Sequence, residues 1–181
     1  MNAPIADKPH RREAVPFLSV VLSFFNEAGL LEELVHRMRT VLRGEMARGT
    51  IAGYELVFVN DDSRDCSLDI LQREYESGRD IVIVDMANNF GVSECVLAGM
   101  RYSKGDVVVY MDADLQDPPE VIPEMLDKWH SDPELDVVYT TRLSRAGEHP
   151  LAERGARTLG MWDFARHALL LADELWRARA I

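Results

Sequence analysis

Short, largely apolar runs alternate with amphipathic segments along most of the chain. The runs predict buried strands at residues 17–25, 54–59, 81–84, 107–111 and 136–140. Between them, apolar residues recur at helical spacing and predict helices at residues 30–42, 67–75, 92–102 and 120–129. This alternation indicates an α/β fold with a mostly parallel sheet and helices on both of its faces.

The two ends of the chain differ from this pattern. Residues 1–15 combine prolines with mixed charges and are expected to form a flexible tail before a domain at residues 16–145. Residues 146–181 predict an amphipathic helical segment whose apolar stripe includes Trp162, Leu169 and Trp176. Such a stripe is typical of a core or of a partner contact, including a homo-oligomer, and its two tryptophans leave docking at a membrane interface open.

Composition narrows the function classes. The chain has 181 residues, with 20 Lys and Arg against 31 Asp and Glu, and a formal net charge of −11. This balance argues against a nucleic-acid-binding protein and against a polybasic membrane-surface module. Cys66 and Cys95 fit no metal-ligand spacing and indicate a reducing compartment. No run reaches the roughly 18 apolar residues of a spanning helix, so we expect a cytoplasmic protein, or one peripheral at the cytoplasmic membrane.

Negative charge is concentrated in residues 106–136, which contain ten Asp and Glu residues and one Lys. Asp112 and Asp114 follow the fourth predicted strand, and an extended backbone would direct both carboxylates to one side. The two carboxylates repel each other unless a cation lies between them, and oxygen ligands suit Mg²⁺ or Mn²⁺. Gln116 continues the alternation and would add an oxygen ligand. The alternative is a solvated acidic loop before a helix N-terminus.

Polar residues also follow the first two predicted strands. Ligands of parallel sheets bind beyond the carboxyl ends of the strands, so we expect these residues to lie near the acidic pair. Asp61 is a candidate acceptor for a ring N–H of a nucleotide base, and Glu27, near the aromatic Phe25, is a second candidate. The sequence contains no glycine-rich phosphate loop of the dinucleotide or ATP type.

Four sequence blocks resemble a known family. They are Ser-Phe-Phe-Asn-Glu at residues 23–27, Val-Asn-Asp-Asp-Ser at 59–63, Asn-Phe-Gly at 89–91 and Asp-Ala-Asp-Leu-Gln-Asp-Pro-Pro-Glu at 112–120. In order and spacing these blocks are similar to the family 2 glycosyltransferases, and most of all to the branch of dolichol-phosphate mannose synthase and bactoprenol glucosyltransferase. The resemblance covers about residues 17–145.

The resemblance implies a Rossmann-like GT-A fold and a metal-dependent enzyme that uses Mg²⁺ or Mn²⁺. Such an enzyme transfers a sugar from a nucleoside-diphosphate sugar to a polyprenyl phosphate at a membrane surface. The family's nucleotide contacts fall on Ser23, Phe25, Glu27, Val59, Asp61, Asp112, Ala113 and Arg142. Its metal ligands fall on Asp112, Asp114 and Gln116. The sequence departs from the family pattern at Ser23, Asn60, Asp62 and Asn88.

The family's acceptor half has no clear match in this sequence. Trp-Asp-Phe-Ala-Arg at residues 162–166 differs in spacing from the family's Gly-Asp-Phe-Arg-like block. The catalytic residue therefore stays unassigned, and Asp163 fits a surface helix better than a catalytic role. A truncated, non-catalytic relative that binds a nucleotide sugar or a partner is the alternative to a transferase. A nucleotidyltransferase is less well supported, because residues 26–31 lack a Gly- and Lys-rich phosphate loop.

Overall fold

The apolar runs form strands and the amphipathic segments between them form helices, as the sequence predicts. A computed structural model describes residues 14–132, 135–140, 151–154 and 169–172, so most of the predicted N-terminal tail lies outside the described residues. The strands are β1 (Phe17–Phe24), β2 (Gly53–Asn60), β3 (Ile81–Asp85), β4 (Val107–Asp112), β5 (Val137–Thr140), β6 (Leu151–Arg154) and β7 (Leu169–Ala172). The helices are α1 (Leu31–Arg48), α2 (Ser67–Gly78), α3 (Val92–Tyr102) and α4 (Ile122–Ser131), the last preceded by a 3₁₀ turn at Pro119–Val121.

The strands belong to one seven-stranded sheet in the order β3-β2-β1-β4-β7-β5-β6. β1 pairs in parallel with both β2 and β4, and β2 pairs in parallel with β3. The chain therefore builds outward from β1 to β3 and then returns to place β4 on the other side of β1. This reversal opens a crevice at the carboxyl ends of β1 and β4, where sheets of this kind bind ligands.

The prediction of a helical segment at residues 146–181 is wrong for the strands next to β4 and β5 in the sheet. Within the described residues, Leu151–Arg154 and Leu169–Ala172 are strands, and β7 pairs antiparallel with β4 and β5. Four consecutive apolar residues show no periodicity, so their pattern does not distinguish a helix from a strand. The edge of β4 offers backbone groups that a strand can satisfy. The sheet thus extends beyond residue 145, where the domain was expected to end.

Helices cover both faces of the sheet, as predicted, but the two layers are unequal. α1, α2 and α4 pack over the larger core, whose fully buried side chains include Leu22, Met38 and Phe58. α3 covers the other face, over a smaller core that includes Val21 and Val59. None of the helices in the described part of the chain has the length and apolar character needed to cross a membrane.

α3 approaches the sheet most closely at Gly99. A Cβ atom there would lie 2.3 Å from Val21 Cγ1 and 3.0 Å from Val59 Cγ2. We expect Gly99→Ala to lower the free energy of unfolding by about 1–3 kcal/mol, because a packed core resists added volume. Gly44 in α1 is the matched control, since no heavy atom lies within 4 Å of its added Cβ. Gly44→Ala should stabilise the helix by about 0.5–1 kcal/mol. Urea denaturation measures both, and effects of the same sign would contradict this packing.

An ion-pair cluster ties α1 to α2 and to the start of β3, at the end of the sheet opposite the crevice. The Arg39 guanidinium donates to Asp80 Oδ2 at 2.9 Å and to Oδ1 at 2.7 Å, and it also donates to Glu74. The Tyr54 hydroxyl donates to Asp80 Oδ2 at 3.1 Å. Burial acts to raise the pKa of Asp80, but the hydrogen bonds and charge of Arg39 and the bond from Tyr54 hold it below its ordinary value.

Candidate functional site

The crevice at the carboxyl ends of β1, β2 and β4 contains a pocket of about 220 Å³. Its wall brings together side chains that follow three different strands, as the sequence pattern leads us to expect. The lining residues are Ser23, Phe24, Phe25, Glu27, Asp61, Val92, Cys95, Asp112, Ala113 and Asp114. Most of the residues predicted to bind the nucleotide and the metal therefore lie around one cavity.

The pocket wall is strongly acidic. Glu27, Asp61, Asp112 and Asp114 contribute carboxylates, and no Lys, Arg or His is among its described lining residues. The acidic surroundings affect Glu27, whose pKa is raised by burial and by the charges of Asp114 and Asp65. A diphosphate would be repelled by these carboxylates unless a cation compensated their charge. The wall thus favours a ligand whose phosphates enter together with a metal ion.

The acidic pair lies where β4 gives way to a turn. β4 ends at Asp112, and Leu115 has a left-handed backbone with φ of 58°. Asp114 Oδ1 accepts a 2.9 Å hydrogen bond from the backbone N–H of Gln116, which holds this carboxylate in the turn. Burial raises the pKa of Asp112, the charge of nearby Asp114 raises it further, and a hydrogen bond from Tyr110 opposes both. A cation beside the pair would relieve this cost of ionisation.

Strand alternation places neither Asp114 nor Gln116, because the extended backbone of β4 ends at Asp112. The turn that follows brings Asp114 to the pocket wall but not Gln116. The Gln116 side chain is exposed and is not among the described residues that line the pocket. Across the described part of the chain, no three His, Cys, Asp or Glu side chains converge as a metal site. Mg²⁺ commonly binds through one or two carboxylates and completes its coordination with phosphate oxygens and water molecules. The role of Gln116 as a ligand stays a prediction from the resemblance.

Asp61 is buried and held by the loop that follows β3. Its Oδ1 accepts the backbone N–H of Phe90 at 2.7 Å, and its Oδ2 accepts that of Gly91 at 3.0 Å. The Asn89 side chain donates to the Asp61 carbonyl at 3.1 Å. Gly91 has φ of 95°, a conformation that favours glycine. The Asn-Phe-Gly block thus fixes the orientation of a carboxylate that directly follows the neighbouring strand β2.

Hydrogen bonds tie the loop after β1 to the loop after β2. Asn26, with φ of 57°, receives the backbone N–H of Arg64 on its side-chain oxygen at 2.8 Å. In the opposite direction, the backbone N–H groups of residues 26–28 donate to the side chains of Ser63, of Ser67 at the start of α2, and of Asp65, respectively. These hydrogen bonds between the two segments position Glu27 at the pocket and leave the Phe25 ring 44% exposed at the pocket rim.

Ser23 lies beside Asp112 on the neighbouring strand, since the two residues are partners in the parallel register of β1 and β4. Its hydroxyl is 3.1 Å from the hydroxyl of Tyr110, which in turn donates to Asp112 Oδ1. Burial and the charge of Asp112 raise the pKa of Tyr110 far above its ordinary value. Tyr110 was not among the predicted site residues. The signal that could have found it is strand alternation, because Tyr110 lies two residues before Asp112 on β4.

Among the described residues, Val59 is a predicted nucleotide contact that does not line the pocket. Val59 is fully buried, and its side chain packs under α3 at Gly99. Arg142 and Asp163 lie outside the described residues. Cys95 also lines the pocket and was not among the predicted site residues, although the helical period of α3 directs it to the sheet. Burial, and then the charge of Asp61, raise the pKa of this thiol to about 12.

Comparisons with known proteins identify the family. The family model described as Glycosyl transferase family 2 matches residues 19–172. The uncharacterized glycosyltransferase sll0501 of Synechocystis is 44% identical over 131 residues, which are 72% of this chain and 39% of that protein. The undecaprenyl-phosphate 4-deoxy-4-formamido-L-arabinose transferase of Pseudomonas savastanoi pv. phaseolicola is 38% identical over 132 residues, covering 72% of this chain and 37% of that protein. The chain thus spans less than two fifths of the length of these relatives.

The fold is similar to that of a solved enzyme. The mannosyltransferase PcManGT from Pyrobaculum calidifontis, in complex with GDP-Man and Mn²⁺, superimposes with a TM-score of 0.57 at 24% sequence identity. The match covers 68% of this chain and 35% of the mannosyltransferase chain. At this identity the likeness concerns the fold, and it confirms the GT-A-like α/β architecture that the resemblance implied.

Proposed function

The chain belongs to glycosyl transferase family 2, and from this premise we propose that it binds a nucleoside-diphosphate sugar together with Mg²⁺ or Mn²⁺ and transfers the sugar to a polyprenyl phosphate. The observation that carries the proposal is the pocket lined by four carboxylates at the carboxyl ends of β1, β2 and β4. The name of the Pseudomonas relative supports the class of acceptor, since that protein is an undecaprenyl-phosphate sugar transferase.

Asp112 and Asp114 are the residues we propose as metal ligands. Both are oxygen donors in the pocket wall, and the charge of Asp114 raises the pKa of Asp112, so the two carboxylates interact. A hard divalent cation suits such a pair, with the donor's phosphate oxygens completing its coordination. The metal, when bound, would neutralise negative charge on the departing diphosphate.

Asp61 and Phe25 are the residues we propose for the base. Each Asp61 oxygen accepts one backbone N–H, and a carboxylate oxygen has a further lone pair for a ring N–H of the ligand. Uracil and guanine carry such a ring N–H beside a carbonyl, whereas adenine and cytosine do not. The exposed ring of Phe25 offers a face for stacking. This combination favours UDP- or GDP-sugars as donors.

The proposed transfer joins an oxygen of the acceptor phosphate to the anomeric carbon of the sugar. The bond from that carbon to the donor diphosphate breaks, and the nucleoside diphosphate leaves. An acceptor phosphate is already an oxyanion, so it needs less base catalysis than a sugar hydroxyl. The loops after β1 and β2, which hydrogen bonds tie to each other, would then contribute mainly by positioning the sugar donor.

Isothermal titration calorimetry of the full chain tests the proposal. We expect UDP- or GDP-sugars to bind in the presence of Mn²⁺ and to bind much more weakly without it, while ADP- and CDP-sugars serve as controls for base selection. A transfer assay to undecaprenyl phosphate follows. Failure of every nucleotide sugar to bind would overturn the proposal, and binding without transfer would favour a nucleotide-sugar-binding protein instead.

A further inference from the structure

Three side chains at the end of the crevice share one face of the sheet. Tyr110 precedes Asp112 by two residues on β4, so strand alternation directs both side chains toward α3. Ser23 is the register partner of Asp112 on β1. The Tyr110 ring is 4% exposed and belongs to the smaller core. The Tyr110 ring is therefore packed among apolar side chains, and only its hydroxyl lies at the pocket wall.

The hydrogen bonds among these groups have a definite direction. The Tyr110 hydroxyl donates to Asp112 Oδ1, and a phenol has one proton to give. The Ser23 hydroxyl, 3.1 Å from the Tyr110 oxygen, must then be the donor of that pair. The result is a chain from Ser23 to Tyr110 to the carboxylate of Asp112, and this chain ends on a proposed metal ligand.

We propose that Tyr110 is a positioning residue for the metal site, with Ser23 supporting it. The inference rests on the proposed function, because it assigns a role to Tyr110 at the same site. A hydrogen bond to one oxygen of a ligating carboxylate fixes the plane of the group and leaves the other oxygen for the cation. Residues that hydrogen-bond to a metal ligand in this way typically contribute about 10–100-fold to metal affinity.

A purely structural role explains the hydroxyl less well. Phenylalanine would fill the same space among the apolar neighbours Val21, Val108 and Cys95 without bringing a polar atom into the core. A buried hydroxyl costs free energy unless it is hydrogen-bonded. The two partners that the Tyr110 hydroxyl has are both residues of the pocket wall.

Tyr110→Phe tests the inference by removing the hydroxyl alone. Mn²⁺ is titrated into the full chain in parallel series with UDP and with GDP, and free Mn²⁺ is followed by electron paramagnetic resonance. We expect Mn²⁺ affinity to fall roughly 10–100-fold in the variant. Ser23→Ala should lower it less, because the Tyr110 hydroxyl keeps its hydrogen bond to Asp112 Oδ1 in that variant. The double variant should lose less than the product of the two single losses, because Ser23 and Tyr110 are coupled through their hydrogen bond.

Tyr54→Phe is the matched control, because the Tyr54 hydroxyl also donates to a carboxylate, Asp80, but at the other end of the sheet. Its Mn²⁺ affinity should equal that of the wild type. Unchanged affinity in Tyr110→Phe, or an equal loss in Tyr54→Phe, would overturn the inference and leave the proposed function standing. A wild-type chain that binds no Mn²⁺ in either series would overturn both. Should Tyr110→Phe fail to fold, a folded Ser23→Ala variant decides by its loss or retention of Mn²⁺ affinity.

Discussion

Asp114→Asn is expected to lower sugar transfer to undecaprenyl phosphate about a thousandfold. A metal ion that neutralises transition-state charge contributes several kcal/mol, and about 4 kcal/mol corresponds to roughly a thousandfold in rate. Asparagine removes the charge but keeps an oxygen that can accept the backbone N–H of Gln116, which Asp114 Oδ1 accepts at 2.9 Å. The turn should therefore persist, so that the loss reports the metal ligand rather than a misfolded loop.

The experiment compares initial transfer rates at saturating Mn²⁺ with calorimetric titrations of the donor. Glu124→Gln is the control, because Glu124 is exposed in the same acidic segment and is not among the residues that line the pocket. It loses one negative charge as well, and its rate and donor affinity should match those of the wild type. Wild-type donor affinity and rate in Asp114→Asn would exclude the proposed metal site.

Arg39→Met is expected to lower the free energy of unfolding by about 1–3 kcal/mol, because it leaves the partly buried carboxylates of Asp80 and Glu74 without their cation. The Arg39 side chain is 13% exposed and Asp80 is 15% exposed, so solvent screens the pair little. Methionine retains most of the apolar stem. Arg73→Met is the control, since Arg73 pairs with Glu32 between the same two helices with both side chains about two thirds exposed. Such an exposed pair contributes about 0–1 kcal/mol.

The same cluster predicts a pH dependence. The pKa of Asp80 in the folded state lies below its ordinary value of 3.8, despite burial, because Arg39 and Tyr54 stabilise the charged form. The cluster therefore stabilises the fold above about pH 4 and loses this contribution as the pH falls through the lower folded-state value. Urea denaturation across this range should show the gap between the wild type and Arg39→Met narrowing as the pH falls. A gap that stays constant would contradict the ionic origin of the effect.

The local pattern of the sequence determined the elements and their order. Uninterrupted apolar runs such as residues 107–111 specify strands because both faces of such a strand are covered. The position of acidic residues directly after these runs determined which side chains reach the carboxyl edge of the sheet. Asp61, Asp112 and Asp114 could therefore be assigned to one cavity before any pairing of strands was known.

Tertiary structure alone decided three further points. Leu169–Ala172 forms a strand because the edge of β4 offers backbone hydrogen-bond partners. The four apolar residues by themselves do not indicate that such partners exist. Asp61 is held by backbone N–H groups some 30 residues away, those of Phe90 and Gly91. The direction of the hydrogen bonds from Ser23 through Tyr110 depends on β1 lying beside β4. Periodicity encodes the face that a residue occupies within its own element, whereas such contacts depend on which elements become neighbours when the chain folds.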